Sequence, residues 1–416
     1  MNNVRDFGAV GNGVASDTAA IQRAIDAGGV VHFPPGVYLT GTIYLRSNGG
    51  LDLDPGATLL ASPDLNDYNA DDFCAQNVVY SSEQTTGAHL IIALEQENIV
   101  LRGGGKINGS GKSWLCRETQ PDGTVIDTYP RLRPGQLIYF CESSQIRVQD
   151  ITIEDAPYWA LMFHGCCQVM VRNVRIASDF HGHNGDGITI DCSRQVTISD
   201  CQIEGSDDCI TLRGCGNTLK GPGVTEYVTV SNCILRTQEC GIRVGVGSGL
   251  VRRAVFSNIV IRGASVGVNI CSRWKGGIGV TVEDVSFHDF FIDTERPFNI
   301  TNVVAIVTGN VTVPGSLSGI DIRHWRGRAS RSGNITGRCG GIVRNVKVQD
   351  VALEIHGDNC GATAEGSVWY DGSPAYTTAF HVENAERVML RDVTVSWADD
   401  AENWSDRGKS EYDLTV

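Results

Sequence analysis

The 416-residue sequence predicts an all-β protein, folded as a parallel β-helix that forms a single solenoid domain. Three observations support this prediction. A short motif recurs through most of the chain, the 49 glycines are spread along it, and neither a linker nor a shift in composition marks a second domain. A repeated turn-and-strand unit cannot bury its apolar face alone, so successive copies must stack on one another.

The repeated unit alternates apolar and polar residues, breaks at an asparagine or aspartate, and then alternates again. An asparagine or aspartate at the break suits a left-handed turn between two short strands. Six copies, spaced 23, 27, 32, 26 and 26 residues apart, begin at Gln145, Gln168, Gln195, Tyr227, Arg253 and Gly279. A leucine-rich repeat would have a comparable period, but its Leu-x-x-Leu-x-Leu signature is missing.

Other segments depart from the repeat. Residues 1–45 predict an N-terminal cap in which Asp17 is the N-cap of a short helix with an apolar face. Such a helix would cover the open end of a strand stack. The remaining segments are a loop-rich insertion, the main coils and a polar C-terminal tail, at 62–135, 136–397 and 398–416.

Charge and apolar content exclude several partners. The net charge of −14 argues against nucleic acid or an anionic membrane, and no run of 18 apolar residues predicts a membrane span. The N-terminus has no apolar signal core, which predicts a cytoplasmic protein, or a secreted one whose leader has been removed. The 14 cysteines are interpreted mostly as small buried hydrophobic residues. The oligomeric state stays open.

Three carboxylates, those of Asp186, Asp207 and Asp208, fall around one copy of the repeat. Asp186 and Asp207 are 21 residues apart, close to one coil, and neighbouring strands lie about 4.7–4.9 Å apart. The three acids are therefore expected on one outer face. Like charges held together raise at least one pKa, and an acid with a carboxylate-activated water is the equipment for glycoside hydrolysis.

The plainer interpretation is that these acids are ordinary turn residues. Their spacing of one coil argues against it, as does a set of nearby basic residues. That set consists of His181, His183, Arg213, Arg243 and Arg273.

Several motifs carry a resemblance to a known family. Asn184-Gly185-Asp186 and Asp207-Asp208 match an Asn-Thr-Asp and an Asp-Asp motif at the expected spacing, except for the threonine. Further matching segments are 4–13, 17–22, 103–111, 133–134 and 156–159. The chain thus resembles glycoside hydrolase family 28, the polygalacturonases and rhamnogalacturonases, which are right-handed parallel β-helices.

The resemblance implies roles for the acids. Asp207 would be the general acid that protonates the leaving oxygen, while Asp186 and Asp208 would hold and activate the attacking water. The anomeric configuration would then invert, with carboxyl groups about 6.5–9.5 Å apart. No cofactor and no metal is implied.

Two other motifs of the family are not retained. Its Gly-His-Gly corresponds to Glu239-Cys240-Gly241, and its Arg-Ile-Lys corresponds to Asn269-Ile270-Cys271. In polygalacturonases that Arg and Lys bind the uronic acid carboxylate, so their absence implies either a substitute cation or a neutral sugar. Candidate substitutes are Arg243, Arg273 and Lys275. We interpret Cys240 as a packed small residue rather than a nucleophile.

Other side chains are candidates for binding substrate. His181 and His183 could replace the missing histidine or bind sugar hydroxyls; as a metal site they lack an evident third ligand. Trp159 and Trp274 are either sugar platforms or core and lid aromatics. The predicted binding set is completed by Asn184, Arg213 and Glu239.

The sequence therefore predicts a glycosidase acting on pectin-derived or related oligosaccharides. A cytoplasmic location would favour exo action on imported fragments, and the 62–135 insertion could wall off one end of the groove. One alternative is a β-helix polysaccharide lyase or a sugar transferase or epimerase; a lyase would need a base or metal beside the substrate carboxylate. A further alternative is a carbohydrate-binding β-helix without catalysis.

Overall fold

The computed structural model describes the chain except for residues 130–131, 180–181, 273–278, 304–305, 308–309, 312–314, 339 and 358–375. Within the described part, thirty strands belong to one hydrogen-bonded sheet with mostly parallel pairs, and the secondary structure includes one α-helix. This arrangement confirms the predicted all-β parallel β-helix. The same described part has no helix that is both long enough and apolar enough to cross a bilayer.

The residues group into two compact units. The first contains Met1–Asp207 and Asn217–Pro222, and the second contains Asp208–Gly216 and Gly223–Val416. Strands of the first unit are β1 (Asn2–Asn3), β2 (Asn12–Ser16), β3 (Val30–Phe33), β4 (Gly36–Thr40), β5 (Ile43–Tyr44), β6 (Gly49–Leu53), β7 (Ala57–Ala61), β8 (Ile91–Leu94), β9 (Glu97–Arg102), β10 (Lys106–Asn108), β11 (Cys116–Thr119), β12 (Val125–Thr128), β13 (Ile138–Cys141), β14 (Ser144–Gln149), β15 (Thr152–Glu154), β16 (Leu161–His164), β17 (Cys167–Arg172), β18 (Arg175–Ala177), β19 (Ile188–Asp191), β20 (Arg194–Ser199) and β21 (Gln202–Glu204).

The predicted repeats of the first unit stack in register. Ile146 pairs with Val169, which pairs with Val196 one coil further on. The break residues between the two short strands are left-handed, with φ of 54° at Asp150 and 50° at Asn173. The predicted turn is therefore confirmed, and it explains why a residue tolerant of positive φ recurs there.

Two segments of the first unit show detail beyond the sequence prediction. Helix α1 (Thr18–Asp26) forms, but the buried Asp17 carboxylate accepts hydrogen bonds from the amides of Val10 (2.6 Å) and Gly11 (2.9 Å) and makes no side-chain cap. Asp17 therefore occupies the predicted N-cap position, and its carboxylate binds the preceding loop. Within the 62–135 range, β8, β9 and β10 pair with β13, β14 and β15 as ordinary coil strands.

Several strands of the second unit are longer, up to 23 residues in β26. They are β22 (Ile210–Gly214), β23 (Val224–Arg236), β24 (Cys240–Gly247), β25 (Leu250–Cys271), β26 (Thr281–Val303), β27 (Ile306–Val307), β28 (Asn310–Val311), β29 (Ser316–Ala329), β30 (Gly333–Arg338), β31 (Val343–Ile355), β32 (Phe380–Glu383), β33 (Ala385–Trp397) and β34 (Glu411–Thr415). Phe256 and Phe287 stack in its core with ring centroids 4.9 Å apart. At the C-terminal end, β34 pairs with β33 in the antiparallel direction.

Short helical turns connect the strands. They are 3-10 helices at Val4–Phe7, Leu65–Asp67, Ser81–Glu83, Gly111–Trp114 and Gly216–Thr218. Twelve cysteines lie in the described part; all of them are free thiols and eight are buried. That burial agrees with their interpretation as small packing residues.

Candidate active site

The three predicted acids come together in the structure. Asp186 lies just before β19, and Asp207 and Asp208 lie just before β22. One carboxylate oxygen of each acid lies within 4.8 Å of the others. Asp186 and Asp208 are buried, whereas Asp207 is partly exposed. The expected convergence is present, while the oxygens lie closer together than the separation that inversion usually implies.

Asp207 lies beside the Asn184 side chain. The Asn184 Nδ2 atom donates to Asp207 Oδ2 over 3.5 Å, and Asn184 itself has a left-handed φ of 55°. A side chain at the following residue, Gly185, would be crowded, because its Cβ would lie 2.6 Å from Ser206 Oγ. The same Oγ atom accepts a hydrogen bond from the Gly185 amide. The Asn-Gly pair thus shapes the turn that holds Asp186.

Arg133 anchors that turn and was missed as a functional residue. Its guanidinium donates to Asn184 Oδ1 (3.0 Å) and to the carbonyl oxygens of His183 (2.9 Å) and Pro157 (2.6 Å). The guanidinium also lies 3.7 Å above the centre of the Tyr129 ring. The only sequence signal for Arg133 was its place in the family resemblance.

Asp208 forms a buried ion pair with Arg243. Its Oδ2 atom lies 3.2 Å from Arg243 Nε, and the two side chains are only 3% and 6% exposed. Thr211 Oγ1 donates to the same carboxylate oxygen over 3.5 Å. Because Arg243 already balances an acid of the protein, its suggested role as a receptor for a substrate carboxylate stays a prediction.

Glu239 and Cys240 stand in for the family's Gly-His segment, and both have raised pKa values. Burial, together with the nearby Asp208 charge, raises the pKa of Glu239 to about 7, although Arg243 opposes this effect. Burial also raises the pKa of the Cys240 thiol well above its usual value. The thiol accepts a hydrogen bond from Asn269 over 3.5 Å, which agrees with the interpretation of Cys240 as a packed residue.

A row of amides follows Arg243 on successive coils, and we call Asn269, Asn299 and Asn334 the amide row. Parallel pairing aligns Arg243 with Asn269, Asn269 with Asn299, and Asn299 with Asn334. All three amides are buried, and Asn299 Nδ2 donates to Asn269 Oδ1 over 3.1 Å. The position of the family's arginine therefore carries a neutral amide, and Cys271 occupies that of its lysine.

Trp159 is packed rather than presented as a platform. It belongs to a cluster with Tyr139, Cys141, Tyr158 and Met162, against which partly buried apolar side chains pack, and we call the whole set the aromatic cover. The packing side chains are Phe73, Tyr80, Leu94 and Leu219. Trp159 is 5% exposed and stacks on Tyr158 with ring centroids 5.0 Å apart, so the core-aromatic alternative holds.

The other predicted binding residues have mixed outcomes. His183 is exposed and lies edge-on to Tyr129, and the buried Arg213 approaches Cys215 Sγ at 3.6 Å through its Nη2 atom. Neither residue is assigned a role by these contacts. Four predicted residues, His181, Arg273, Trp274 and Lys275, lie outside the described part of the chain.

Comparisons with known proteins agree with this fold. The sequence model of Glycosyl hydrolases family 28 matches residues 58–293, and that of Rhamnogalacturonase A/epimerase, pectate lyase-like, matches residues 1–103. An exopolygalacturonase of Thermotoga maritima superposes with a TM-score of 0.72 at 20% identity, covering 100% of this chain and 93% of that one. A family 28 exopolygalacturonase of Yersinia enterocolitica also gives 0.72 at 18% identity, covering 96% and 78%. These likenesses confirm the right-handed parallel β-helix.

Curated relatives are similar over most of this chain but not over their own full length. Polygalacturonase QRT2 of Arabidopsis thaliana is 24% identical over 73% of this chain and 64% of its own length. The exo-poly-alpha-D-galacturonosidase of Dickeya chrysanthemi is 24% identical over 86% and 64%. The chain thus spans about two thirds of these relatives. Since the family 28 model matches more than half of the chain, the chain belongs to glycosyl hydrolase family 28.

Proposed function

We propose that the chain is an inverting, exo-acting glycosidase that releases a terminal sugar from pectin-derived oligosaccharides. The observation that carries this proposal is the group of three carboxylates in two different environments. Asp207 is partly exposed beside a neutral amide, whereas Asp208 is buried and paired with Arg243.

In the proposed reaction, Asp207 gives its proton to the glycosidic oxygen as the bond to the anomeric carbon breaks. Asp186 and Asp208 hold a water molecule, which adds to that carbon and loses a proton to one of the two carboxylates. The balance is one water consumed, with a hydrogen on each new hydroxyl. Because the carboxylate oxygens approach within 4.8 Å, stereochemistry is the sharpest test of this assignment.

Exo action is supported by the aromatic cover in the first unit. Ile138 and Phe140 of β13 face the core, so Tyr139 and Cys141 face outwards, where Phe73, Tyr80 and Leu219 pack against the cluster. An oligosaccharide following the outer face of β13 and β16 would have to displace these side chains. The coil of Trp159 directly precedes that of Asp186, whose carbonyl accepts the Ala160 amide over 2.9 Å.

The segment at residues 217–222 holds part of this cover in place. Lys220 pairs with Glu95, its amide donates to Glu142 over 2.6 Å, and Thr218 Oγ1 donates to the Gln76 carbonyl over 3.1 Å. Leu219, between Thr218 and Lys220, is the part of the cover that this segment contributes. A substrate end that stops at this cover would place its terminal sugar near Asp186.

The cleaved sugar is proposed to lack a carboxylate. Asn269 and Cys271 offer a neutral amide and a thiol at the positions where polygalacturonases are expected to place two cations. The buried Asn269 already uses its amide nitrogen with Cys240 and its amide oxygen with Asn299, so this position supplies no positive charge to a substrate carboxylate. Rhamnose and other neutral sugars of pectin fit this subsite better than galacturonate.

The test is a panel of pectic oligosaccharides with neutral or uronate non-reducing ends. We expect a single sugar to be released from a neutral end, with NMR of the first product showing the inverted anomer. Retention, cleavage in the interior of the oligosaccharide, or an unsaturated product would contradict the proposal.

A matched pair of variants tests the acid. Asp207→Asn removes the proton donor and should lower kcat by about 10²–10⁴-fold while oligosaccharide binding persists in calorimetry. Asp200→Asn, a turn residue of the same repeat type with φ of 58°, should hydrolyse at the parent rate. Parent-like hydrolysis by Asp207→Asn would show that the assignment of Asp207 is wrong.

A further inference from the structure

Glu239 lies one coil away from Asp208, whose turn we call the acid turn of the second unit. It occupies the turn between β23 and β24 and is partly exposed. The Cys209 amide donates to the Cys240 carbonyl over 3.0 Å, and Ile210 pairs with Ile242. In this register Asp208 is aligned with Cys240, so the neighbouring Glu239 is one coil from the acid turn.

The Glu239 backbone is fixed on both sides of its side chain. Its amide donates to Thr237 Oγ1 over 3.1 Å, and its carbonyl accepts the Val266 amide over 3.1 Å. A carboxyl group on a fixed turn, partly open to solvent, is placed to meet a ligand without a large ordering cost.

Three charged groups face the Glu239 carboxyl. The carboxylates of Asp208 and Glu295 favour its protonated form, and the Arg243 guanidinium favours its charged form. Burial adds to the effect of the two carboxylates, and together they raise the pKa of Glu239 to about 7. At neutral pH a substantial fraction of the protein therefore carries a protonated Glu239.

A protonated carboxyl can do what a carboxylate cannot. It donates a hydrogen bond to an oxygen of the sugar, whereas the ionised form only accepts and repels Asp208. The buried Cys240 thiol, which occupies the position of the family's histidine, is a weak donor at best.

We propose that Glu239 contacts the substrate in its protonated form, donating a hydrogen bond to a sugar oxygen beside Asp208, and that its ionisation sets the alkaline limit of activity. The inference rests on the proposed glycosidase function. It assigns to Glu239 the specific task of recognising an acceptor oxygen on an uncharged part of the sugar. No covalent step is added to the reaction.

Glu239→Gln is the deciding variant, because the amide has nearly the same shape and stays a donor at every pH. The parent kcat/KM should fall about tenfold per pH unit above pH 7, as expected when one essential proton is lost. Glu239→Gln should keep the parent value at pH 6 within about threefold and remain active to at least one pH unit higher. Glu239→Ala should raise KM at least about tenfold, the cost of one hydrogen bond to substrate.

Glu226→Gln serves as the matched control. Glu226 lies in the same unit, paired with Arg252 over 2.8 Å, and its removal should leave the pH profile unchanged. A parent-like alkaline limb in Glu239→Gln would overturn this inference alone, as would a folded Glu239→Gln without activity at any pH. A parent that hydrolyses nothing in the panel would overturn the proposed function and this inference with it.

Discussion

Two sets of outward-facing side chains, one in each unit, occupy strands of similar geometry and have opposite chemistry. In the first unit, Tyr139 and Met162 are buried within the aromatic cover. In the second unit, Arg243 and the amide row, which together we call the polar set, occupy strands whose other face is equally apolar. The backbone of a coil thus leaves the outward positions open to specialisation, and side-chain identity decides whether they form an apolar or a polar cluster.

The two sets also satisfy different energetic requirements. Apolar side chains under the cover gain about 25 cal/mol for each Å² that they remove from water. Buried amides gain nothing unless they are hydrogen-bonded, and Asn269 meets this condition by linking Asn299 to Cys240. A covered aromatic surface tolerates imperfect contacts, whereas the polar set depends on each partner.

The largest expected effect is on the ion pair of the polar set. Arg243→Met removes the guanidinium from the buried Asp208 and should lower the free energy of unfolding by about 3–5 kcal/mol, measured by urea denaturation. The exposed pair of Arg344 and Glu386, at 2.9 Å, offers a control: Arg344→Met should cost about 1 kcal/mol or less.

A double variant separates charge from packing. Arg243→Met combined with Asp208→Asn should be more stable than Arg243→Met alone, because the second change removes the buried charge. Equal losses for Arg243→Met and Arg344→Met would show that the polar set does not depend on its ion pair.

A smaller effect on stability is expected at acidic pH, at a buried histidine that contacts the aromatic cover. His89 stacks on Tyr139 with ring centroids 4.5 Å apart, and burial lowers its pKa to about 4. Below pH 6.5 the histidine is protonated in the unfolded chain but stays neutral in the folded protein. The free energy of unfolding should therefore fall by roughly 3 kcal/mol between pH 6.5 and pH 4.

Thermal unfolding of His89→Gln across this range should show a shallower loss than the parent. The exposed His324, paired with Asp289 over 3.2 Å, is the control, and His324→Gln should follow the parent curve. Parallel curves for the parent and His89→Gln would refute the prediction of a neutral buried His89.

Glu239, also in the second unit, should show the opposite pH dependence. Since the folded pKa of Glu239 is about 7 and the unfolded value is about 4.3, the folded protein holds a proton that the unfolded chain has lost. Stability from this group is present below pH 4.3 and is lost as the pH rises through 7, by roughly 2 kcal/mol after allowance for its partial exposure. The free energy of unfolding of Glu239→Gln should therefore rise relative to that of the parent between pH 5 and pH 8, as measured by denaturation at both values. A difference that stays constant with pH would contradict this prediction.

The smallest effect on stability is expected at the edge of the cover. Leu219→Ala removes a partly buried side chain and should cost about 1 kcal/mol. It should also allow products longer than one sugar to form, as chromatography of early products would show. Leu414→Ala, at a leucine that is 36% exposed, should change neither property. If Leu219→Ala leaves the product pattern unaltered, this surface is not the cause of the proposed exo action.

Sequence reasoning was strongest where structure is local. The turns at Asp150 and Asn173 and the stacking of Ile146 on Val169 follow from periodicity, because each depends on residues within one coil or its neighbour. The convergence of the acids could be predicted for the same reason, since a spacing of 21 residues fixes their height on the stack.

Contacts that depend on irregular segments could not be predicted in this way. Arg133 reaches Asn184 from 51 residues away, and Asp17 binds the preceding loop instead of capping its helix. The sequence alone does not decide whether Trp159 is a platform or a core residue, because one of the rings that pack against it, Tyr80, is distant in the chain. The ion pair of Asp208 with Arg243 could not be predicted either. Its prediction depends on which side chain of the next coil points outwards, and the chain departs from the family motif at that place.

The antiparallel strand β34 has a consequence for how the protein behaves in concentrated solution. A stack of parallel strands ends in a row of unpaired amides and carbonyls, which is a template for another chain. Because β34 reverses direction against β33, an incoming parallel strand finds that part of the edge already occupied. The second unit thus carries its own protection against end-to-end growth into fibres, built from five residues near its C-terminal end.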